Sequence, residues 1–414
     1  MNVIVVGGGA SGIISAIESR KNGLEVTIIE KTSSLGNKIK ITGKGRCNLT
    51  FSGTIDDFKK NVIKNNKFMY SSFSNFTNDD TIKYFENLGV KLKVERGNRV
   101  FPVSDDANEI VKVLEKEIKR LNIKVIYNTS VTDLIVKDNK ITGIKTDKKE
   151  IINCDKCIIA TGGITYKSTG STGDGYKLAK GTGHNIISTR AGLIPLSSKS
   201  EICKRLQGLN LRNCGFKVLD KSTGKVLYDD FGELLFAHFG LTGPVVLSSS
   251  SVINRIEDID KKIKEKNIVA IIDLKPALSY EVLDKRIMRD FEKYSNREFR
   301  NSLGELLPQK LIPVVIELSK IDPLKKVHQI TKEERKSLLN VLKNLEIPIS
   351  GFENDDLGII TCGGIDVKEI NPKTMESKLV LGLYFVGEVL DVDAYTGGFN
   401  LQIAFSTGVA SARN

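Results

Sequence analysis

Short, unbroken apolar runs that end in glycine or an acid dominate the two ends of this chain. Residues 3–6 form the first, 25–29 the second, 158–160 the third and 383–386 the last. Consecutive apolar positions rich in β-branched residues predict strands covered on both faces, as in a parallel sheet. Between the first two runs lies a helical segment, 13–19, that stops near Asn22-Gly23. A second helical stretch covers 105–121, with Ile110, Val113, Leu114, Ile118 and Leu121 at helical spacing. Strands at 124–127, 131–136 and 141–146 follow, the last two joined by the turn Asp138-Asn139-Lys140. They predict a meander crossing over the parallel sheet. The texture changes between about 190 and 354. Short strand-like runs such as 215–219, 226–228 and 268–274 come first, and a charged helical pattern covers 279–346. The opening texture then returns and closes in an apolar, small-residue helix at 401–412. The pattern predicts one domain made from 1–190 and 355–414. An inserted module at 191–354 is strand-rich to 275 and helical from 276.

The first strand runs directly into Gly7-Gly8-Gly9-Ala10-Ser11-Gly12, and the second closes on Glu30. G-x-G-x-x-G alone is a weak signal. Here the preceding strand, the following helix and the acid eighteen residues past Gly12 agree. Gly7 allows the tight turn, Gly9 lets a pyrophosphate reach the backbone, and Gly12 lets helix and strand pack closely. The helix N-terminus presents free N–H groups and a positive dipole end to the phosphates. Glu30 is placed to accept hydrogen bonds from an adenosine ribose, and its charge argues against a 2′-phosphate there. The loop Ile41-Thr42-Gly43-Lys44-Gly45-Arg46-Cys47-Asn48-Leu49-Thr50 has the composition that wraps an anionic or polar ligand. Thr396-Gly397-Gly398-Phe399-Asn400 turns into the closing helix. A helix N-terminus there presents free N–H groups and a positive dipole end to whatever lies beyond the glycine pair. No second G-x-G-x-x-G follows a strand, so no dedicated nicotinamide domain is expected.

Composition changes this picture little. Of 414 residues, 40% are hydrophobic and 27% charged, an ordinary globular balance. No stretch approaches the ~20 apolar residues of a membrane helix, and the first residues enter a strand without a basic leader. A cytoplasmic protein without a membrane partner is expected. The formal charge of +12 has two readings. One is AT-rich codon bias, which enriches Lys, Ile and Asn together; the other is a nucleic-acid or anionic partner. The lysines are scattered and their densest runs, such as Lys261-Lys262-Ile263-Lys264, are short. Codon bias is therefore preferred over nucleic acid. Cys154-Asp155-Lys156-Cys157 has the C-x-x-C spacing of a zinc or redox pair. It opens an apolar strand, where residues three apart point to opposite faces. Small buried hydrophobes are expected there, and no metal site.

Six further segments complete an ordered set with Gly7-x-Gly9-x-x-Gly12. They are Gly43-Lys44-Gly45-Arg46-Cys47-Asn48, Arg99-Val100-Phe101-Pro102, Ala160-Thr161-Gly162-Gly163, His238-Phe239-Gly240-Leu241-Thr242-Gly243-Pro244, Gly387-Glu388 and Thr396-Gly397-Gly398-Phe399-Asn400-Leu401-Gln402. The set resembles the aminoacetone-oxidase-like FAD flavoprotein family, which also includes a bile-acid dienone reductase. The resemblance spans essentially the whole chain. It implies an α/β fold in which a glutathione-reductase-type Rossmann FAD-binding domain is built from both chain ends, with an inserted β-barrel-like and helical module. It implies FAD held non-covalently by Gly7, Gly9, Ala10, Ser11 and Gly12, by Glu30, Lys31 and Lys38, and by Thr42, Gly43, Gly45, Arg46, Cys47 and Asn48. Val131, Ala160, Thr161, Gly162 and Gly163 join them, as do Gly387, Glu388, Asp391, Gly397, Gly398, Phe399, Asn400 and Leu401. One departure is Tyr166-Lys167-Ser168, where the family pattern has proline soon after the tyrosine.

Three catalytic candidates emerge. His238 lies beside glycines and suits a proton donor or substrate ligand, or a structural histidine. Arg99 suits binding of a carboxylate or carbonyl, or a surface ion pair. Cys47 suits a redox thiol, though a packing role is preferred for want of a partner cysteine. The expected activity is flavin-dependent oxidation or reduction of a small organic substrate. A reductase of an unsaturated or carbonyl compound fed by NADH or NADPH is preferred over an amine oxidase using oxygen. A flavoprotein that binds or modifies RNA is the alternative from another class, and a FAD-binding regulator without turnover is a third.

Overall fold

The computed structural model describes residues 1–413. The chain divides into two compact units, one of residues 1–192 with those from 355 onward, the other of Leu193–Asn354. In the first unit the apolar runs are the strands of a five-stranded parallel sheet. Its order is Leu383–Phe385, Lys156–Ile159, Asn2–Val6, Glu25–Ile29, Lys124–Ile126. Val3 to Val6 are all buried, which explains why they read as a continuous apolar run and not as an alternation.

Both chain ends contribute to this unit. The first helix, Ala10–Lys21, packs on the terminal helix, Phe399–Ala412. Their seam is made of small residues. Ser15 Oγ donates to Ser11 O at 2.8 Å and to Gly408 O at 3.2 Å, and a Cβ on Gly408 would lie 2.8 Å from Ser11 O. The helix expected at 105–121 is Ala107–Arg120, capped by Asp106. The meander is Val131–Lys137, Lys140–Thr146 and Ile151–Asn153, antiparallel throughout.

The second unit has its own apolar core. Seven antiparallel strands run in the order Leu345–Pro348, Ile268–Asp273, Asn210–Asp220, Lys225–Ala237, Gly240–Thr242, Leu196–Ser197, Gly351–Phe352. The two outer strands of that order are only two residues apart in the chain. The sheet therefore curls onto itself as a barrel. Helices Tyr280–Lys293, Leu311–Ser319 and Lys332–Lys343 add buried apolar faces to the same core. Among the described residues no helix is long and apolar enough to cross a membrane.

The C-x-x-C segment differs from its expectation. Cys154 lies in the turn before the strand Lys156–Ile159 that holds Cys157, so the two do not share one strand. The chain bends there because it changes sheets: Cys154 N donates to Thr142 O in the meander, and Asp155 N donates to Asn2 O beside the parallel sheet. Both cysteines are buried and neither forms a disulfide.

Lys156, between them, is 2% exposed; its ammonium donates to Ser411 O at 2.5 Å and lies 4.0 Å from the Tyr384 ring centroid. Burial brings its pKa down to about 8, below the ~10.4 of an unfolded lysine. Between those values the unfolded chain holds a proton that the folded chain has lost, so stability rises with pH across that window. Lys156→Met removes this contribution. Urea midpoints of the natural chain should climb relative to the variant from about pH 8 to about pH 10.4; parallel midpoints would refute the assignment.

Candidate functional site

Glycine is obligatory at two points of the first turn. Gly7 has φ +104°, and a Cβ there would sit 2.6 Å from Ala160 O; a Cβ on Gly12 would sit 1.9 Å from Gly7 O. At Gly9 a Cβ would meet nothing within 4 Å, so that side of the turn is open. Gly9 is also the N-cap of the first helix, and no side chain caps it. The first-turn N–H groups at Ala10 and Ser11 are left for an external acceptor. Glu30 is 8% exposed and locked to the turn. One oxygen accepts from Gly8 N at 2.7 Å, the other from Thr32 N at 2.8 Å and Thr32 Oγ1 at 2.7 Å. A carboxylate has about four acceptor positions, so one remains for a ribose hydroxyl.

Several expected residues from distant parts of the chain converge on this turn. A Cβ on Gly387 would lie 2.5 Å from Ser11 Oγ. Glu388 is ion-paired with Lys38 at 2.7 Å and accepts from Thr361 N at 2.8 Å. Lys38 also donates to Thr165 Oγ1 at 3.0 Å, while Lys31 pairs with Asp174 at 2.7 Å. Ala160 is buried, and beside it Thr161 Oγ1 is buried without a hydrogen-bond partner among the described residues. An orphaned buried hydroxyl costs about 1–3 kcal/mol, which a polar ligand at this loop would remove. Gly162 has φ +71°, and a Cβ on Gly163 would meet Thr361 Oγ1 at 1.9 Å. Val131 is buried where the meander begins, and Asp391 is 3% exposed and accepts from Asn65 Nδ2 at 3.0 Å.

The polar loop contains one left-handed turn. Gly43, Lys44 and Gly45 have φ of +56°, +60° and +85°. The conformation costs an L residue roughly 1–2 kcal/mol, and strain of this kind collects at ligand sites. Thr42 Oγ1 donates to Ile39 O at 2.7 Å just before it. Arg46 pairs with Glu95 and Asp105, and its guanidinium lies 4.2 Å from the Phe101 ring centroid. Asn48 donates to Thr50 O and accepts from Gly398 N at 3.0 Å once its amide is oriented to satisfy its neighbours. That bond ties the loop to Gly397 and Gly398, with φ of +131° and +93°. Gly398 caps the terminal helix without a side-chain hydrogen bond, giving a second helix start with free N–H groups at Phe399, Asn400 and Leu401. The Asn400 side chain is spent on Ala394 N and O, at 2.9 and 2.8 Å. The Phe399 ring packs 4.8 Å from that of Phe51.

The three catalytic candidates have unlike settings. Cys47 is fully buried, and burial pushes its thiol up to about 12. A thiol held in that range stays protonated at neutral pH, which favours the packing role over the redox one. Arg99 is exposed on strand Arg99–Pro102, its Nε donating to Arg96 O at 3.0 Å. His238 is exposed in the second unit, on the turn between Lys225–Ala237 and Gly240–Thr242. Thr165, Thr361 and Gln402 were not anticipated as site residues. Isolated Thr residues in loops and strands carry no signal of their own.

Two uncapped helix starts, an open approach at Gly9 and an orphaned hydroxyl at Thr161 fit a dinucleotide such as FAD. Gly12→Val should abolish flavin uptake, read as loss of visible absorbance in the purified protein. Cys47→Ala should keep the colour and the rate of flavin reduction within about twofold, while costing ~1–2 kcal/mol of stability for the lost packing. A colourless or inactive Cys47→Ala would restore the redox-thiol assignment.

Comparison with known proteins places this site in a family. The model of the HI0933-like protein Rossmann domain matches residues 1–414. The chain is 30% identical to a 3-dehydro-bile acid delta(4,6)-reductase of Clostridium scindens, covering 99% of this chain and 97% of the relative. It is also 30% identical to the ribosomal RNA dihydrouridine synthase of Escherichia coli, covering 100% and 97%. Among solved structures, a quinol–fumarate reductase matches with a TM-score of 0.51 at 14% identity, covering 99% of this chain and 70% of that one. A 3-ketosteroid delta1-dehydrogenase from Sterolibacterium denitrificans matches with a TM-score of 0.50 at 13% identity, covering 99% and 98%. These two share the fold. The chain belongs to the HI0933-like Rossmann-domain family and is an FAD-dependent oxidoreductase.

Proposed function

We propose that this protein uses bound FAD to reduce a carbon–carbon double bond conjugated to a carbonyl group, with NADH or NADPH as the electron source. One observation carries the reading: two full-length relatives of equal identity act on very different molecules that share one reacting bond. A 3-keto steroid unsaturated at positions 4 and 6, and a uracil ring, both present an alkene conjugated to C=O. FAD supplies hydride transfer when bound. The free N–H groups at Ala10 and Ser11 would hold its pyrophosphate, and Glu30 would take the adenosine ribose. The start of the terminal helix, at Phe399, Asn400 and Leu401, would favour negative charge on a flavin bound beside it. No second G-x-G-x-x-G follows a strand, so in this reading the nicotinamide visits and leaves without a domain of its own.

A small unsaturated ketone is the first reading of the substrate. A uridine within RNA is the second, favoured by the formal charge of +12, which draws polyanions. The test begins with anaerobic NADH or NADPH and the visible spectrum. Bleaching, followed by recovery of colour on adding a 4,6-dien-3-one and a product heavier by about 2 Da per bond reduced, is the expected result. Recovery with a ribosomal RNA fragment instead, with binding that weakens steeply as salt rises, selects the RNA reading. Indifference to both nicotinamides, with peroxide formed from aminoacetone in air, would replace the reductase by an amine oxidase.

A further inference from the structure

Gln402 lies in the first turn of the terminal helix and is 1% exposed. Its Oε1 accepts from Thr50 Oγ1 at 2.6 Å and from Thr81 Oγ1 at 2.8 Å. Its Nε2 donates to Phe76 O at 3.2 Å and to Ser406 Oγ at 3.0 Å. Both donor hydrogens and two acceptor positions are therefore used. A buried amide satisfied in this way is a rigid fixture, because moving it strands polar groups in a low dielectric.

The partners belong to different parts of the chain. Thr50 opens the strand Thr50–Phe51 that leaves the polar loop, Thr81 sits on helix Asn78–Asn87, and Phe76 follows helix Tyr70–Asn75. Thr50 is also where the loop meets the terminal helix most closely. A Cβ on Gly398 would lie 2.4 Å from Thr50 O, and two residues earlier Asn48 accepts from Gly398 N. One side chain thus clamps the helix start to the loop at the point where the two touch.

We propose that Gln402 is the positioning residue that holds the start of the terminal helix in register with the 42–48 loop, and so sets how much more tightly the site holds reduced than oxidised flavin. The inference rests on the flavin reading above. Gln402 acts through Thr50 and the helix turn, not by touching the cofactor. The influence of a helix N-terminus on a charge falls off within its first turn, so a small displacement of that turn weakens the preference for the reduced, negative ring. Three hydrogen bonds through one amide, to Thr50, Thr81 and Phe76, resist that displacement.

The test uses the full chain and its Gln402→Leu, Thr50→Val, Thr50→Ser and Ser406→Ala variants. The readouts are FAD affinity, thermal midpoint and the two-electron midpoint potential, equilibrated against a reference dye. Gln402→Leu and Thr50→Val should weaken the preference for reduced flavin at least about tenfold, a displacement of about 30 mV to lower potential for a two-electron couple. Thr50→Ser keeps the hydroxyl and should restore the natural value. Ser406→Ala removes the hydroxyl that accepts from Gln402 Nε2 and donates to Phe76 O, but leaves the Gln402 bonds to Thr50 and Thr81 in place, and should lower the thermal midpoint without moving the potential. Unchanged potentials in flavin-loaded Gln402→Leu and Thr50→Val would overturn the proposal, as would an equal shift in Ser406→Ala. If Gln402→Leu fails to fold, the contrast between Thr50→Val and Thr50→Ser decides alone. A natural chain that takes up no flavin would overturn the flavin reading itself, an outcome distinct from loaded variants with unchanged potentials.

Discussion

The seam between the first and terminal helices is the contact on which the remaining architecture depends. Ser11, Ser15, Gly408 and Ser411 let the helices approach until side-chain hydroxyls bond across the gap, with Ser411 Oγ 3.1 Å from Ser15 Oγ. The approach brings Gly387 against Ser11, leaving no room for a Cβ between them. Segments from the two ends of the chain become one wall. A bulkier residue anywhere along that line would separate the helices, because close-packed interiors do not absorb added volume without strain.

That geometry gives the wall an unusual source of positive potential. Lys31, Lys38 and Arg46 lie among the residues expected to meet the cofactor, yet each is ion-paired within the protein, to Asp174, Glu388 and Glu95 with Asp105 respectively. What faces an incoming anion is backbone: the N–H groups of two helices whose caps, Gly9 and Gly398, have no side chain to offer. Fixed amide dipoles need no reorganisation when a ligand's charge changes, which suits a cofactor that alternates between neutral and negative states. The lysines act as struts between segments. Cys47, held neutral by burial, packs the loop beneath the same wall without adding charge.

The second unit solves a different problem. A seven-stranded antiparallel sheet has two edges that invite pairing with other chains. Running the chain from one outer strand to the other across two residues, from Leu345–Pro348 to Gly351–Phe352, bends the sheet round and removes the exposure. The strands Asn210–Asp220 and Lys225–Ala237 are long because they must span the curvature, and both contain bulges where the register shifts, the usual device for bending a strand.

Local steric rules decided what was legible. The strands at 3–6 and 25–29, the glycine turn and the acid at Glu30 were readable because burial on both faces and positive φ each restrict composition at consecutive positions. The terminal helix was readable for the same reason, although it begins two residues earlier than its apolar run, at Phe399. The pairing of Lys38 with Glu388 spans 350 residues, and nothing near either residue announces it. Cys154 and Cys157 looked like residues on opposite faces of one strand, because spacing carries no record of a chain changing sheets between them. Gln402 stands in an apolar helix, where its own neighbourhood marks it as an anomaly and nothing more. Its role depends on Thr50, Thr81 and Phe76 arriving from elsewhere, and hydrogen bonds at that range exist only after packing. Backbone conformation and strand burial were thus determined by the sequence itself, while the clamps that align two uncapped helices were decided by tertiary structure alone.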